Sequence, residues 1–337
     1  MHAPVDVMER DHVMKALIAA AAAVLLSLAS CAAALAQDTG KVVLGWAANP
    51  QTAPIVVATE KGYFKDAGLD VKSVHFVTGR EALEALLGGQ LDLGFMAEFP
   101  PVIGALREQP FRVVTTLSKY LGNRIIGTAS GGFTGIKDLE GKKIGTTLGS
   151  NNAYFVEYVL KKYGIKATIV NVAAADIVPA LARGDIDAGV PFPDFYQKAR
   201  VALGSNYRDV VSNDYTAWFV VAASMGLVDK RPGDLKKFLA ALIKADDFIK
   251  ADPGAAQEML AKEMSGLADL AQIKSTWPEA AYVVGLDRKL LDLMVDEGKW
   301  IVDRRLIKDV KVDPAEFRRY MADGPMRALD PARVDLP

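Results

Sequence analysis

The sequence predicts an α/β fold built as two lobes of like architecture, and three observations predict it. Apolar runs of strand length alternate with helical stretches from residue 41 to residue 192. A six-residue pattern, Gly-x-Φ-Asp-Φ-Gly with Φ apolar, occurs at 89–94 and again at 184–189. The chain has 337 residues, 51% of them hydrophobic, enough for about two domains at roughly 150 residues each.

The elements follow in order. KVVLGWA (41–47) reads as a buried strand, broken by Pro50-Gln51-Thr52. Residues 55–61 read as a helix ending near Gly62, and 69–77 as a β-branched strand. Residues 81–89 form a helix stopped by two glycines, and 91–97 a short apolar strand. Pro100-Pro101 halts that strand, and a helix at 102–108 and a strand at 111–117 follow. The second series has a short helix at 136–139, a strand at 142–148, a Gly-Ser-Asn-Asn turn and a helix at 153–164. A strand at 167–173, a helix at 177–184 and a strand at 186–192 complete it. This order argues for mainly parallel sheets. In both copies of the six-residue pattern the first glycine suits a left-handed helix cap, and the alternating apolar residues enter the sheet. From residue 233 the chain reads as helical. Leu235, Phe238, Leu239, Leu242, Ile243 and Ile249 share one face. Leu290, Leu291, Met294, Trp300 and Ile301 mark another helix, and Phe317 to Met321 a short last one.

Composition narrows the function classes. Forty Lys+Arg balance 41 Asp+Glu, which leaves no basic footprint for nucleic acid. The apolar content excludes disorder, and one cysteine makes neither an internal disulfide nor a cysteine metal cluster. ALIAAAAAVLLSL (16–28), behind Arg10, His12 and Lys15 and ahead of Ala34-Leu35-Ala36, reads as a secretory signal cleaved before Gln37. It falls short of the ~20 residues of a membrane span. Leu28-Ala29-Ser30-Cys31 also resembles a bacterial lipobox, which makes Cys31 a candidate for lipidation; an uncleaved anchor is a third reading. Removing 1–36 leaves His75 as the one histidine and no cysteine. A Ser–His nucleophile would then rest on His75 alone, and a His/Cys metal site is set aside.

Ligands of open α/β sheets sit beyond the carboxyl ends of strands. Four loops qualify: Asn49-Pro50-Gln51-Thr52, Ala97-Glu98-Phe99-Pro100, Gly149-Ser150-Asn151-Asn152 and Pro191-Phe192-Pro193-Asp194. Tyr215 to Trp218 precedes a further apolar run. The third loop offers hydroxyl, amide and backbone donors at a helix start, which suits an anion; Ser150 or Asn151 serves equally as an ordinary N-cap. Thr52 reads the same way for its own helix. Glu98 would take a ligand ammonium or N–H, or else pair with an arginine or sit in solvent. Trp46, Phe99, Tyr154, Phe192, Tyr215 and Trp218 are candidates to wall a pocket, with at least half of them core. H-E-x-x-H, G-x-S-x-G, Walker and G-x-G-x-x-G motifs do not occur.

Several runs together resemble the substrate-binding proteins of ABC importers, of the nitrate/sulfonate/taurine type related to thiamine-pyrimidine-precursor binders. The carrying residues are Val57-Ala58-Thr59-Glu60-Lys61-Gly62-Tyr63-Phe64 with Gly68-Leu69-Asp70-Val71, and Glu81-Ala82-Leu83 with the motif at 89–94. Asp138-Leu139-Glu140-Gly141-Lys142-Lys143-Ile144-Gly145 and Gly184-Asp185-Ile186-Asp187-Ala188 complete the set. The resemblance implies a type II periplasmic-binding fold, two α/β lobes with two hinge crossovers and C-terminal helices, closing about the hinge. On it, 1–36 is signal, 37–127 and 214–337 form one lobe and 128–213 the other.

The function so implied is an exported, periplasmic, monomeric receptor. It would pass a small organic solute, sulfonate- or taurine-like or a nitrogen-containing anion, to an ABC permease and ATPase complex in the inner membrane. Neither a cofactor nor nucleic acid is expected. On this reading Ser150, Asn151 and Asn152 hold an anionic or carbonyl oxygen, and Asn49 and Gln51 donate, with Thr52 beside them. Glu98 and Asp194 read donors, and Tyr215 and Trp218 give apolar contact. The sequence departs from sulfonate binders, which commonly carry Ser-Ser or Ser-Thr-Ala at the anion loop, and Glu98 stands where a small or neutral polar residue is common. A carboxylate there disfavours nitrate and suits a zwitterion or a nitrogen heterocycle. The alternatives are an enzyme on the same fold, of dehydratase or pyrimidine-precursor type, or a sensor presenting ligand to a membrane receptor. Export argues against the enzyme, as does the lack of the Cys/His-rich segment that the synthases need.

Overall fold

The apolar run after residue 40 forms β1 (Gly40–Trp46), with Val42, Leu44 and Trp46 buried. The computed structural model describes residues 40–47 and 49–337; the expected leader and Cys31 lie outside the described residues. After a 3-10 turn at Pro50–Thr52 come α1 (Ala53–Glu60), α2 (Tyr63–Asp66), β2 (Leu69–His75) and α3 (Gly79–Leu87). Next are β3 (Leu93–Ala97), α4 (Phe99–Leu106) and β4 (Phe111–Tyr120). The middle of the chain holds β5 (Arg124–Thr128), β6 (Lys143–Thr146), α5 (Asn151–Tyr163) and β7 (Thr168–Asn171). It continues with α6 (Ile177–Arg183), β8 (Ala188–Gly189), α7 (Tyr196–Leu203) and β9 (Tyr207–Val211). The last third holds β10 (Ala217–Ser224), α8 (Pro232–Ala251), α9 (Pro253–Glu263), α10 (Leu270–Thr276) and β11 (Ala280–Asp287). It ends with α11 (Arg288–Asp303), α12 (Pro314–Arg319), α13 (Gly324–Leu329) and β12 (Val334–Asp335).

Two sheets result. One has the order β12-β11-β4-β10-β3-β1-β2, the other β7-β6-β8-β5-β9. Neither is mainly parallel. β10 runs antiparallel to both β3 and β4, and β5 runs antiparallel to both β8 and β9. Parallel pairs include β1 with β3, β6 with β7 and β8, and β11 with β12. The expectation failed because helix–strand alternation reports local order, whereas β10 is placed by a return from the other sheet. β11 was also missed: its Val283-Val284 lie in a stretch read as helical, but Ala280 and Tyr282 pair with Tyr120 and Ser118 of β4. The apolar face of α8 is as expected. Leu235, Phe238, Leu239, Leu242 and Ile249 are buried, and Phe238 stacks on Phe64 at 5.0 Å.

The six-residue pattern has the same physical meaning in both sheets. Gly89 and Gly184 take positive φ, 74° and 80°, closing a helix where a side chain would be strained. The Asp92 carboxylate accepts from the Val43 backbone N–H at 2.9 Å, and Asp187 accepts from Lys143 at 2.8 Å. Each aspartate thus satisfies the leading edge of the neighbouring strand. Leu91 and Ile186 are buried over Gly45 and Gly145, where a Cβ would come within 2.4 and 2.6 Å of their methyls. The repeat is a docking device used twice.

The chain leaves the seven-stranded sheet after Tyr120 and returns before Ala217. The first crossing lies ahead of β5, a few residues before the expected boundary at 127/128, because β5 hydrogen-bonds in the five-stranded sheet. The two connectors are bound side by side. Asn123 Nδ2 donates to Tyr215 O at 3.3 Å, and Ser212 N donates to Asn123 O at 3.0 Å. Arg124, 5% exposed, joins the sheets. Its Nε donates to Asp209 on β9 at 3.0 Å and its Nη1 to Glu279, just ahead of β11, at 2.8 Å. Its guanidinium also sits 4.9 Å from the Tyr196 ring. Burial works against this charge, but Glu279, Tyr120 and Tyr196 together outweigh it and the pKa is raised. Arg124→Met is expected to cost about 3 kcal/mol of unfolding free energy, since removing one partner of a buried pair strands the other. Urea denaturation reads this; a loss below about 1 kcal/mol would mark the cluster as a surface-type pair.

Candidate functional site

The carboxyl ends of β1 and β3 meet elements of the five-stranded sheet around a cavity of about 60 Å³. Trp46 and Asn49 reach it from the end of β1, Phe95 from β3 and Phe219 from β10. Asn151, at the head of α5, and Phe192 and Asp194, behind β8, close it from the other lobe. Phe95 and Phe219 stack at 5.6 Å, and the Trp46 ring lies 5.2 Å from His75. Trp46 Nε1 is buried without a hydrogen-bond partner among the described residues, a donor of the kind a ligand oxygen would satisfy. Asp194 is the one titratable side chain in this lining among the described residues. Burial pushes its carboxyl up to about 6, against its own backbone N–H and the pull of Lys198. Asp194 and Pro193 are shared with a larger cavity of about 410 Å³ that runs past Pro50 to Tyr120, Arg124 and Glu279. A solute held at Asp194 therefore has room toward the crossing.

Three of the expected ligand residues, Asn49, Asn151 and Asp194, come together here; the others are placed differently. Asn49 Oδ1 also caps the following turn, accepting from Gln51 N at 3.1 Å. Thr52 Oγ1 donates to Asn49 O at 2.7 Å, a local bond that shapes the loop. Gln51 is fully buried, and neither polar atom of its side chain has a partner. Ser150 stands at the N-cap of α5, but its hydroxyl turns back to Thr147 O at 2.6 Å. Asn152 Nδ2 donates to Val190 O at 3.1 Å, tying α5 to the end of β8. Trp218 lies on the other side of β10 from Phe219, since strand neighbours alternate, with Lys119 Nζ 4.1 Å from its ring centre.

Glu98 and Tyr215 belong to a buried cluster outside the cavity lining. Glu98 is fully buried; one carboxylate oxygen accepts from Trp218 N at 2.8 Å and the other from the Tyr215 hydroxyl. Tyr215 also reaches Glu297 Oε1 on α11 at 3.3 Å. Glu297 is fully buried too, and its second oxygen has no partner. Burial raises both carboxyl pKa values, and for Glu297 the nearby Glu98 raises it further. Charging both acids at once in this setting is strongly disfavoured. Tyr154 of α5 packs edge-on against Trp300 at 5.5 Å and Tyr215 at 5.6 Å, and tilted to Phe99 at 6.4 Å, sealing the seam between the lobes. Phe99, Tyr154, Tyr215 and Trp218 are thus core, while Trp46 and Phe192 are the pocket walls.

Sequence reasoning passed over Phe76, Phe95, Phe219 and Glu297. The three phenylalanines had a signal: each sits in or beside a strand or apolar run whose end was already named as a ligand loop. Glu297 had one as well, being an acid inside the stripe Leu290, Met294, Ile301, where helical spacing calls for an apolar side chain.

Comparison with known proteins bears on this geometry. The family described as NMT1/THI5 like matches residues 49–256. A 4-amino-5-hydroxymethyl-2-methylpyrimidine phosphate synthase of Aspergillus parasiticus is 28% identical over 246 residues, covering 66% of this chain and 70% of its own length. A Brucella abortus (strain 2308) protein named only as a binding protein is 29% identical over 220 residues, covering 63% of this chain and 67% of its own. The solved structure of the periplasmic aliphatic sulphonate binding protein of Escherichia coli matches with a TM-score of 0.69 at 19% identity. It covers 82% of this chain and 91% of that one, which establishes the periplasmic-binding-protein fold.

The acid pair makes stability depend on pH. A folded-state pKa raised above the ordinary 4.5 means the folded state holds the proton more tightly. The associated stability is complete below pH 4.5 and is lost as pH climbs through the raised value. Glu297→Gln is expected to flatten this fall and to leave the protein at least as stable as wild type at pH 8. Urea midpoints between pH 5 and pH 8 test it; a variant with the wild-type slope would remove the pair from the account.

Proposed function

The chain belongs to the NMT1/THI5-like family, and from that premise we propose that it is an exported solute-binding receptor. It encloses a small nitrogen-bearing organic solute between two lobes and delivers it to an ABC permease and its ATPase. The observation that carries this reading is the cavity shared by both lobes, with aromatic walls and Asn49, Thr78, Asn151 and Asp194 as its polar side chains. Such a cavity recognises by shape and hydrogen bonding. The Asp194 carboxylate repels a bare anion such as nitrate and accepts from an ammonium or a ring N–H. The free Trp46 N–H and the two amides offer donors to an oxygen at the solute's other end. A taurine-like zwitterion or a small nitrogen heterocycle meets both demands. Ligand contact falls to Asn49, Asn151 and Asp194. Thr52, Ser150, Asn152, Glu98, Tyr215 and Trp218 shape and hold the loops, and Gln51 is a reserve of unspent polar groups beside them. The receptor acts as a monomer in the periplasm, its leader removed at residue 36 or its Cys31 lipidated.

A second reading, an enzyme on the same fold, is favoured by the relative named as a pyrimidine phosphate synthase. Against it, Asp194 has no second acid and no histidine or cysteine beside it in the described lining. Incubation with each bound solute followed by mass spectrometry separates the two, since a receptor returns the solute unchanged.

The direct test is thermal unfolding of residues 37–337 against taurine, alkanesulfonates, nitrate, aromatic carboxylates, pyrimidines and polyamines. A solute at 100 times its Kd adds about 2.7 kcal/mol, a shift of a few degrees at this size. An amine- or N–H-bearing solute is expected to give that shift and nitrate none; the reverse would overturn the assignment of Asp194. With such a solute, affinity should rise as pH climbs through about 6, where Asp194 ionises. Asp194→Asn should weaken binding roughly tenfold, in keeping with a charged hydrogen bond, and abolish the pH dependence in titration calorimetry.

A further inference from the structure

A third cavity, of about 540 Å³, opens between the lobes and shares no lining residue with the two that meet at Asp194. Leu83 of α3, Ile103 of α4 and Trp300 of α11 wall it from one lobe, and Leu148, Ala153 and Ile169 from the other. Its volume lies in the ~300–1,000 Å³ range of small-molecule sites. Leu148 is 47% exposed and Leu306, also in the lining, 56% exposed, so large apolar side chains stand open to solvent where an apolar body would cover them.

The charges are uneven. Arg80, Arg107 and Arg304 contribute to the lining, against Glu84 and Glu157. Arg80 pairs with Glu84 at 2.9 Å, and Arg304 pairs with Glu157 across the seam. Arg107 has no carboxylate partner among the described residues, although it lies in the wall. An apolar chamber with one unspent guanidinium selects an anion carried on an apolar body.

We propose that this cavity is a second ligand site, for an amphipathic monoanion: a carboxylate or sulfonate on an aliphatic chain or ring. Its occupant differs in kind from the polar solute at Asp194. Because each lobe supplies part of the wall, the occupant bridges them and favours the arrangement in which they are closed.

The probes are decane-1-sulfonate and decanoate, below their micelle concentrations, with decylamine as the charge control, in titration calorimetry with residues 37–337. Both acids are expected to bind at one per chain and decylamine at least about tenfold more weakly. Arg107→Ala, at an exposed position where folding is not at stake, should weaken the acids about tenfold. Ile103→Trp, which fills the chamber, should abolish binding; should that variant fail to fold, Leu87→Trp at a partly buried position replaces it. Asp194→Asn should leave decane-1-sulfonate affinity within about twofold, which separates this site from the solute cavity. The proposal falls if the folded protein binds neither acid or if decylamine binds equally well. It falls as well if Arg107→Ala and the filling variant leave affinity unchanged, or if Asp194→Asn abolishes acid binding.

Discussion

The buried guanidinium of Arg124 is the constraint on which the rest of the architecture depends. Two sheets joined by only two short connectors would swing freely unless something fixed the connectors to each other and to both sheets. Arg124 does so by binding Asp209 in one lobe and Glu279 in the other, while Asn123 and Ser212 bind the connectors side by side. Desolvating that charge is costly, and only the surrounding carboxylates and carbonyls make the position tolerable. Tyr215 sits in the second connector, so the same pivot sets the hydroxyl that reaches Glu98 and Glu297. Pivot, seam and cleft are therefore one mechanical system.

Within that system the acids stand in two different settings. Glu98 and Glu297 are fully buried and meet at the Tyr215 hydroxyl, which ties them into the seam. Asp194 is only partly buried and stands alone in an aromatic setting. Two acids in contact neutralise each other's use for ligands. One acid with its pKa near 6 keeps its charge at neutral pH and remains available.

Much of this was legible in the chain. The strand–helix order of both lobes followed from periodicity and glycine caps. The repeated Gly-x-Φ-Asp-Φ-Gly marked equivalent strands because its glycine, aspartate and apolar positions each meet a local need. What escaped was set by distant partners. β11 reads as part of a helical region until β4 is beside it, and β10 is antiparallel only because the chain returns from elsewhere. The rule that ligands sit at strand ends picked out Asn49, Asn151 and Asp194, which line one cavity. It misjudged Glu98, whose surroundings come from Tyr215 and Glu297, far along the chain. Ser150 and Asn152 were read as free donors, but Thr147 and Val190 carbonyls lie within reach and take them.

The position of β10 between β3 and β4 also orders the birth of the molecule. The five-stranded sheet is contiguous, from Arg124 to Val211, and all of it has been synthesised before the seven-stranded sheet receives its central strand. Until residue 224 emerges, β3 and β4 face a gap that no earlier segment fills. Pairings across so long a stretch of chain form slowly, because loop closure precedes any reward. The lobe built on the seven-stranded sheet is thus the last to solidify, and the five-stranded sheet is complete while its neighbour still lacks a central strand.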